Sequence, residues 1–337
     1  MFMKKLGVAA ALMLCAFGAS ASNFRGADQV YIPAAGHVTG SSGTFISDIY
    51  IANLSSDEVD VSVIYQTAGT DGGTGEEFKN AISLKGFERK QFLDVFPTVL
   101  GRATGFGQLI FNGCKKGTSC GSDTQDQDGV SLNFRPISVQ SRIYQLPNPC
   151  AGCTPPTDRQ TGQLFSGIPW YNFVSSLQST AGLDKVFITG ITNDTNFRAN
   201  LGVVNASQYS RTTIKFTLYQ GTMTTADKKA ERLIDLGPLG SISPTGLNDM
   251  FGGTFTGSNY FVVVEQTNNQ PANDPPSSCV QGCPAFLAFG SVVDNRSGDA
   301  TTLESQYLNP LTDSAIAVIY PSGSGSGKPG IRRSVRK

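Results

Sequence analysis

The chain's most reactive side chains are six cysteines in three close pairs, Cys114 with Cys120, Cys150 with Cys153, and Cys279 with Cys283. Close spacing in an exported chain predicts three short local disulfides, each closing a small loop worth about 2–3 kcal/mol. A zinc site would need a second C-x2-C beside Cys150–Cys153, and the sequence has none. A redox role for Cys150-Ala151-Gly152-Cys153 would need a βαβ setting; the flanking prolines favour a loop staple. The expectation is disulfides, with no metal and no cofactor.

His37 is the only histidine, so any nucleophile-histidine-acid catalysis must pass through it. Its neighbours Gly36, Gly40, Ser41, Ser42 and Gly43 predict a mobile loop rather than a positioned base. Asp94, Glu265, Asp294 and Asp299 could serve a two-carboxylate hydrolase, but no spacing sets two of them across a cleft. Asp123, Asp126, Asp128 and Gly129 make an oxygen-rich loop, as does the run from Asp294 to Asp299. Neither has the ligand spacing of an EF-hand, and a solvated loop and a tight turn are expected. Tyr50, Tyr65, Tyr209 and Tyr219 lie on or beside strand-like segments and are the candidate aromatic platform for a sugar. No catalytic residue is assigned.

The segments that must position these residues begin with a leader. Lys4 and Lys5, an apolar run from Leu6 to Phe17 and Ala19-Ser20-Ala21 predict a signal peptide over 1–21, cleaved before Ser22. Leu14 before Cys15 is too large for lipoprotein processing. No other stretch reaches the roughly 20 apolar residues of a transmembrane helix. The reading is export to the periplasm, the cell surface or the medium.

Two stretches then repeat the same landmarks at a nearly fixed offset. FISDIYIAN (Phe45 to Asn53), SVIYQ ending at Gln66, ISL ending at Leu84 and DVF (Asp94 to Phe96) return as FRANLGVVN (Phe197 to Asn205), FTLYQ, IDL and DMF (Asp249 to Phe251). Period-two alternation at Val59, Val61, Val63 and Tyr65, and at Ile214, Phe216 and Leu218, predicts half-buried strands. Asn53-Leu54-Ser55-Ser56 and Asn205-Ala206-Ser207 are expected hairpin corners. Gln108 to Phe111 is expected to pair with Ile137 to Tyr144, and Gln163 to Pro169 and Ala315 to Pro321 to close the two units. The fold class is therefore all-β: two tandem Ig-like β-sandwich domains related by internal duplication, over 22–169 and 186–321, joined by a linker at 170–185. Trp170, Tyr171, Phe173, Val174 and Leu177 suit that linker to a strap packed between the units. Residues 322–337 read as a flexible basic tail carrying Lys328, Arg332, Arg333, Arg336 and Lys337. Without leader and tail, 19 basic residues face 26 acidic ones, which argues against nucleic acid.

SDIYIAN, Ser141-Arg142-Ile143-Tyr144, Gly162-Gln163 to Pro169, Phe197 to Asn205 and Ser291 to Asp299 together resemble an uncharacterised family of secreted bacterial tandem β-sandwich proteins. The resemblance implies the fold over nearly the whole mature chain and brings no established activity, ligand or catalytic residue. The functional expectation is a secreted non-enzymatic envelope or extracellular interaction and adhesion module presenting loops and edge strands. Its partner would be a protein or glycan at the cell surface, and its oligomeric state is open. The alternatives are a carbohydrate-binding module, a subunit of an extracellular fibre and a carboxylate-based hydrolase. Non-reducing peptide mapping of exported protein is expected to return Cys114–Cys120, Cys150–Cys153 and Cys279–Cys283; a cross-link from Cys120 to Cys279 would end the local scheme.

Overall fold

A computed structural model of the chain describes residues 26–40, 43–73, 75–118, 133–146, 162–174, 184–207, 210–267 and 285–307. The protein is all-β, built from antiparallel sheets. Its first half contains β1 (Gln29–Gly40), β2 (Gly43–Asn53), β3 (Val59–Thr67), β4 (Glu76–Leu84), β5 (Arg89–Phe92), a single helical turn α1 (Val95–Thr98), β6 (Gly105–Lys115), β7 (Ile137–Gln145), β8 (Gly162–Ser166) and β9 (Ile168–Pro169). After a 3-10 turn at Trp170–Asn172 come β10 (Lys185–Asn193), β11 (Phe197–Asn205), β12 (Thr212–Gln220), β13 (Lys228–Leu236), β14 (Ser241–Gly246), α2 (Leu247–Phe251), β15 (Gly257–Gln266), β16 (Phe286–Asp294), β17 (Ala300–Glu304) and β18 (Gln306–Tyr307).

In the first half the strand order β4-β3-β6-β1 continues through β1 into β2-β7-β8, with β5 on β2 and β9 on β1. The start of β1 pairs with β6, while Val38–Gly40 pairs with β2, so one strand serves both layers. A bulge between Ile32 and Ala35 makes the bend, and Pro33 sits inside it, where a missing N–H costs no ladder bond. The second half orders its strands β13-β12-β15-β10-β18 and β14-β11-β16-β17, the same sequence of partners with the two layers separate.

Alternation explains the packing. Val59, Val61, Val63 and Tyr65 of β3 join Ile49 and Ile51 of β2 in one core; Ile214, Phe216 and Leu218 join Leu201 and Val203 in another. Asn53 and Asn205 end β2 and β11, where the chain crosses to the opposite layer. Asn53 Nδ2 donates to the carbonyls of Asp57 and Lys85 at 2.7 and 2.9 Å, and its Oδ1 accepts from Ser55 N. Asn205 Nδ2 likewise donates to Ser210 and Gly237 carbonyls, and Oδ1 accepts from Ser207 N. Both Asn side chains are buried, because they replace hydrogen bonds that the crossing backbone would otherwise lack.

Three expectations are corrected. The Asn corners join different layers and are not hairpins, and β6 pairs with β1 and β3 while β7 pairs with β2 and β8. Nearness in sequence suggested a hairpin where the chain changes sheets. Asp94 immediately precedes α1, without a side-chain capping bond, whereas Asp249 lies inside α2, so the shared Asp-x-Phe motif occupies unequal positions. By pairing order β8 and β9 correspond to β17 and β18 of the second half; Ala315 to Pro321 and the tail lie outside the described residues.

The two halves meet over a third apolar cluster. Tyr31, Ile64 and Ile110 point away from their own core and pack with Ala206, Leu239, Ala285 and Leu287 of the second half, with Phe173 after the 3-10 turn edge-on to Tyr31 at 4.5 Å. Tyr31 Oη donates to Ala206 O, Gln108 Nε2 to Leu239 O at 2.7 Å, and Gly73 N to Pro238 O at 2.8 Å. Asp71 accepts from Arg211 and from Gly237 N, first the guanidinium and then the backbone amide holding its carboxyl below the usual range. The approach is so close that a Cβ at Gly237 would stand 2.0 Å from Asp71 O. Calorimetry is expected to show both halves melting in one transition, and Gly237→Val to split it in two, because the added side chain forces the backbones apart. Two independent transitions in the unmodified protein would show that the junction does not couple the halves.

Candidate functional site

β2 and β7 pair along their full length, from Asn53 opposite Ile137 to Phe45 opposite Gln145. One face sends Ile49, Ile51, Ile137 and Val139 into the core. By alternation the other presents Asp48, Tyr50 and Ala52 beside Ser138, Gln140, Arg142 and Tyr144. This outer face holds a cleft of about 640 Å³, lined chiefly by Tyr50, Ala52, Leu54, Arg89, Gln91, Ser138 and Gln140. Tyr50 stands directly between Gln91 of β5 and Gln140 of β7, and Gln91 Nε2 donates to its hydroxyl at 3.3 Å. Lys90 also borders the cleft, but its ammonium is bound to Ser83 O and faces Glu88. Arg89 is exposed and has no ion-pair partner among the described residues.

Beyond the cleft the same face carries a buried polar cluster. Asp48 is 2% exposed, and its Oδ1 accepts from Tyr144 Oη at 3.2 Å and from Asp94 N at 3.0 Å. Arg142 lies over the Tyr144 ring, 4.8 Å from its centroid. Burial first, and then the Asp48 carboxylate, push the Tyr144 hydroxyl up to about 12. The Asp48 bond also holds Asp94 in a left-handed conformation (φ 48°), which a residue with a Cβ adopts only when the surroundings fix it. Asp94 Oδ2 in turn lies 2.7 Å from His37 Nδ1. A carboxylate only accepts, so Nδ1 carries the proton.

His37 is therefore not in a loop: it belongs to β1, opposite Gly105, and is held by an aspartate. The sequence signal for a loop, its glycines, instead marks close approach; a Cβ at Gly36 would meet the Phe106 ring at 2.6 Å. The pair has two parts of a triad but, among the described residues, no hydroxyl or thiol is hydrogen-bonded to the remaining ring nitrogen. In the second half Asn193 takes the matching position opposite Gly257. It donates to Phe255 O at 2.7 Å, and Asn248 Oδ1 accepts from Phe255 N. An uncharged Asn pair thus occupies the end of the sheet that matches the His37 and Asp94 pair.

The other sequence-derived residues are dispersed. Glu265 lies between Lys215 and Lys185. Asp294 accepts from the backbone amides of Arg296 and Ser297, which hold its carboxyl below the usual range, and so caps a turn. Asp299 belongs to that same turn region, and none of these meets Asp94. Among the described residues no group of three or more His, Cys, Asp or Glu could hold a metal ion. Tyr65 is corrected as a platform residue: it is 3% exposed, with its hydroxyl on Phe106 O. Tyr219 stacks on Phe261 at 5.3 Å in the second half, while Tyr209 lies outside the described residues. Cys114 ends β6 as a disulfide-bonded sulfur; Cys120, Cys150, Cys153, Cys279, Cys283 and the Asp123–Gly129 loop lie outside the described residues. Among those described, no helix is long and apolar enough to cross a membrane. Asp48, Arg89, Gln91 and Gln140 escaped the sequence reading because only the pairing of β5, β2 and β7 unites them.

The chain matches no protein-family model and no curated protein sequence.

Because the raised Tyr144 value favours the neutral phenol in the folded protein, its stabilisation is complete below about pH 10 and fades as pH climbs toward 12. Tyr144→Phe is expected to cost about 1–2 kcal/mol at neutral pH, since Asp48 loses a donor while buried, and to remove a tyrosinate absorbance step at about pH 12 from the folded protein. Loss of an ordinary step near pH 10 instead would place Tyr144 in solvent.

Proposed function

We propose that the protein is an exported, non-enzymatic interaction module, formed by duplication of one Ig-like β-sandwich and fused into a rigid pair. The observation that carries this reading is the junction: Tyr31, Ile64 and Ile110 cover one face of an already core-forming sheet, and Leu239 and Leu287 meet them from the second half. Such an interface suits a fixed spacing between surfaces rather than a hinge. Duplication is supported by the shared strand order and by the same hydrogen bonds at Asn53 and Asn205. Export and the three local disulfides follow from the leader and the cysteine spacing. A binding rather than catalytic role is supported by the His37 and Asp94 pair having, among the described residues, no hydroxyl or thiol on the remaining ring nitrogen, and an uncharged Asn pair at the matching place.

Purified mature protein, labelled at its amino terminus, is expected to bind isolated envelope material saturably, and heat-unfolded protein is expected not to. Retention that rises linearly without saturation, or that survives unfolding, would overturn the reading. So would turnover of an envelope polymer by the folded protein.

A further inference from the structure

We propose that the cleft around Tyr50 is a binding site for an acidic oligosaccharide, a sugar chain bearing carboxylates. This rests on the interaction-module reading and names the ligand class of one face. The two halves present the same sheet face differently. Counting along β11 and β16 from Asn205 opposite Phe286, the positions of Tyr50, Ala52, Leu54, Ser138 and Gln140 are held by Gly202, Val204, Ala206, Leu287 and Phe289. In the second half these are buried, and Val204, Ala206, Leu287 and Phe289 lie in the junction clusters. In the first half the Tyr50 and Gln140 end of the face is half-buried to exposed among the described residues, and its central pair is tyrosine beside glutamine where the second half has glycine beneath phenylalanine.

That difference gives the first half a polar surface with a flat ring at its centre where the second has a packing surface. A half-buried tyrosine offers an apolar face to the C–H side of a sugar ring and keeps a polar tip. Gln91 and Gln140 on either side each present an amide that both donates and accepts, the pairing that adjacent hydroxyls require. Among the described residues no carboxylate lines the cleft and none pairs with Arg89, whose guanidinium is shaped for two-pronged contact with a carboxylate. The ring and amides would bind the sugar and the arginine would select its charge. On the β10, β12 and β15 sheet of the second half, Phe187, Phe261 and Tyr219 pack against one another, so those rings spend their faces on each other.

The test titrates folded protein with tetragalacturonate and a hyaluronan tetrasaccharide, each beside its methyl ester, by calorimetry and by backbone amide shifts. The expected result is binding of at least one acid, about tenfold weaker for its ester. Tyr50→Ala and Gln140→Ala should weaken acid and ester alike, Arg89→Gln should bring the acid to the level of the ester, and Tyr219→Ala should change neither. Amide shifts should centre on β2, β5 and β7. Unaltered melting of Arg89→Gln and Gln140→Ala, both exposed, keeps the test independent of folding. No binding of either acid, equal binding of acid and ester, or shifts centred elsewhere would overturn the proposal. Envelope retention that persists in Tyr50→Ala while sugar binding is absent would sink the site and leave the module reading standing.

Discussion

The sheet containing β1, β3 and β6 is buried on both sides, and this constraint governs the rest of the molecule. Its inward residues, Val30, Ile32, Val63 and Phe111, build one core, while Tyr31, Ile64 and Ile110 between them build the junction. A sheet covered on both faces cannot alternate polar with apolar, which is why VYI, VIY and LIF run together in these strands. It also cannot host a ligand. Any binding surface must therefore lie on the outer layers, on the loops or at the sheet ends.

Tight packing at the junction depends on backbones meeting directly. Gly72 has φ +113° and would bring a Cβ within 2.5 Å of Pro238 O, and Gly237 is pressed against Asp71 O from the other side. Two glycines in opposite loops thus let peptide groups hydrogen-bond across the halves, where side chains would have held them apart. Exposed ion pairs such as Asp71 with Arg211 add little in water. The apolar cluster supplies stability, and the backbone bonds supply register.

Much of this architecture was legible in the sequence. Alternation at Val59 to Tyr65 and at Ile214 to Leu218 identified strands and their inward faces, and the repeated Asn-x-Ser corner marked where β2 and β11 end. Pairing across sheets was not legible, since the choice between a hairpin and a crossover for β6 and β7 is made by contacts far apart in sequence. The cleft was missed for the same reason: Tyr50, Arg89 and Gln140 are separated by tens of residues and become neighbours only through register. His37 was misread because glycine signals both loop and close approach, and only the Phe106 ring over Gly36 distinguishes the two.

Comparing equivalent positions separates structural from functional polarity. At the sheet end, His37 pairs with Asp94 side chain to side chain, whereas Asn193 and Asn248 bond the backbone of Phe255. On the outer face, Gly202 and Phe289 serve the junction, while Tyr50 and Gln140 at the matching register positions do not. Outside a junction, the face would need only polar side chains for solubility, and serine or lysine would have met that need. A tyrosine held between two glutamines, with an arginine at the rim that no described carboxylate pairs, is more specific than solubility demands, and it is there that selection for a partner has the most physical room to act.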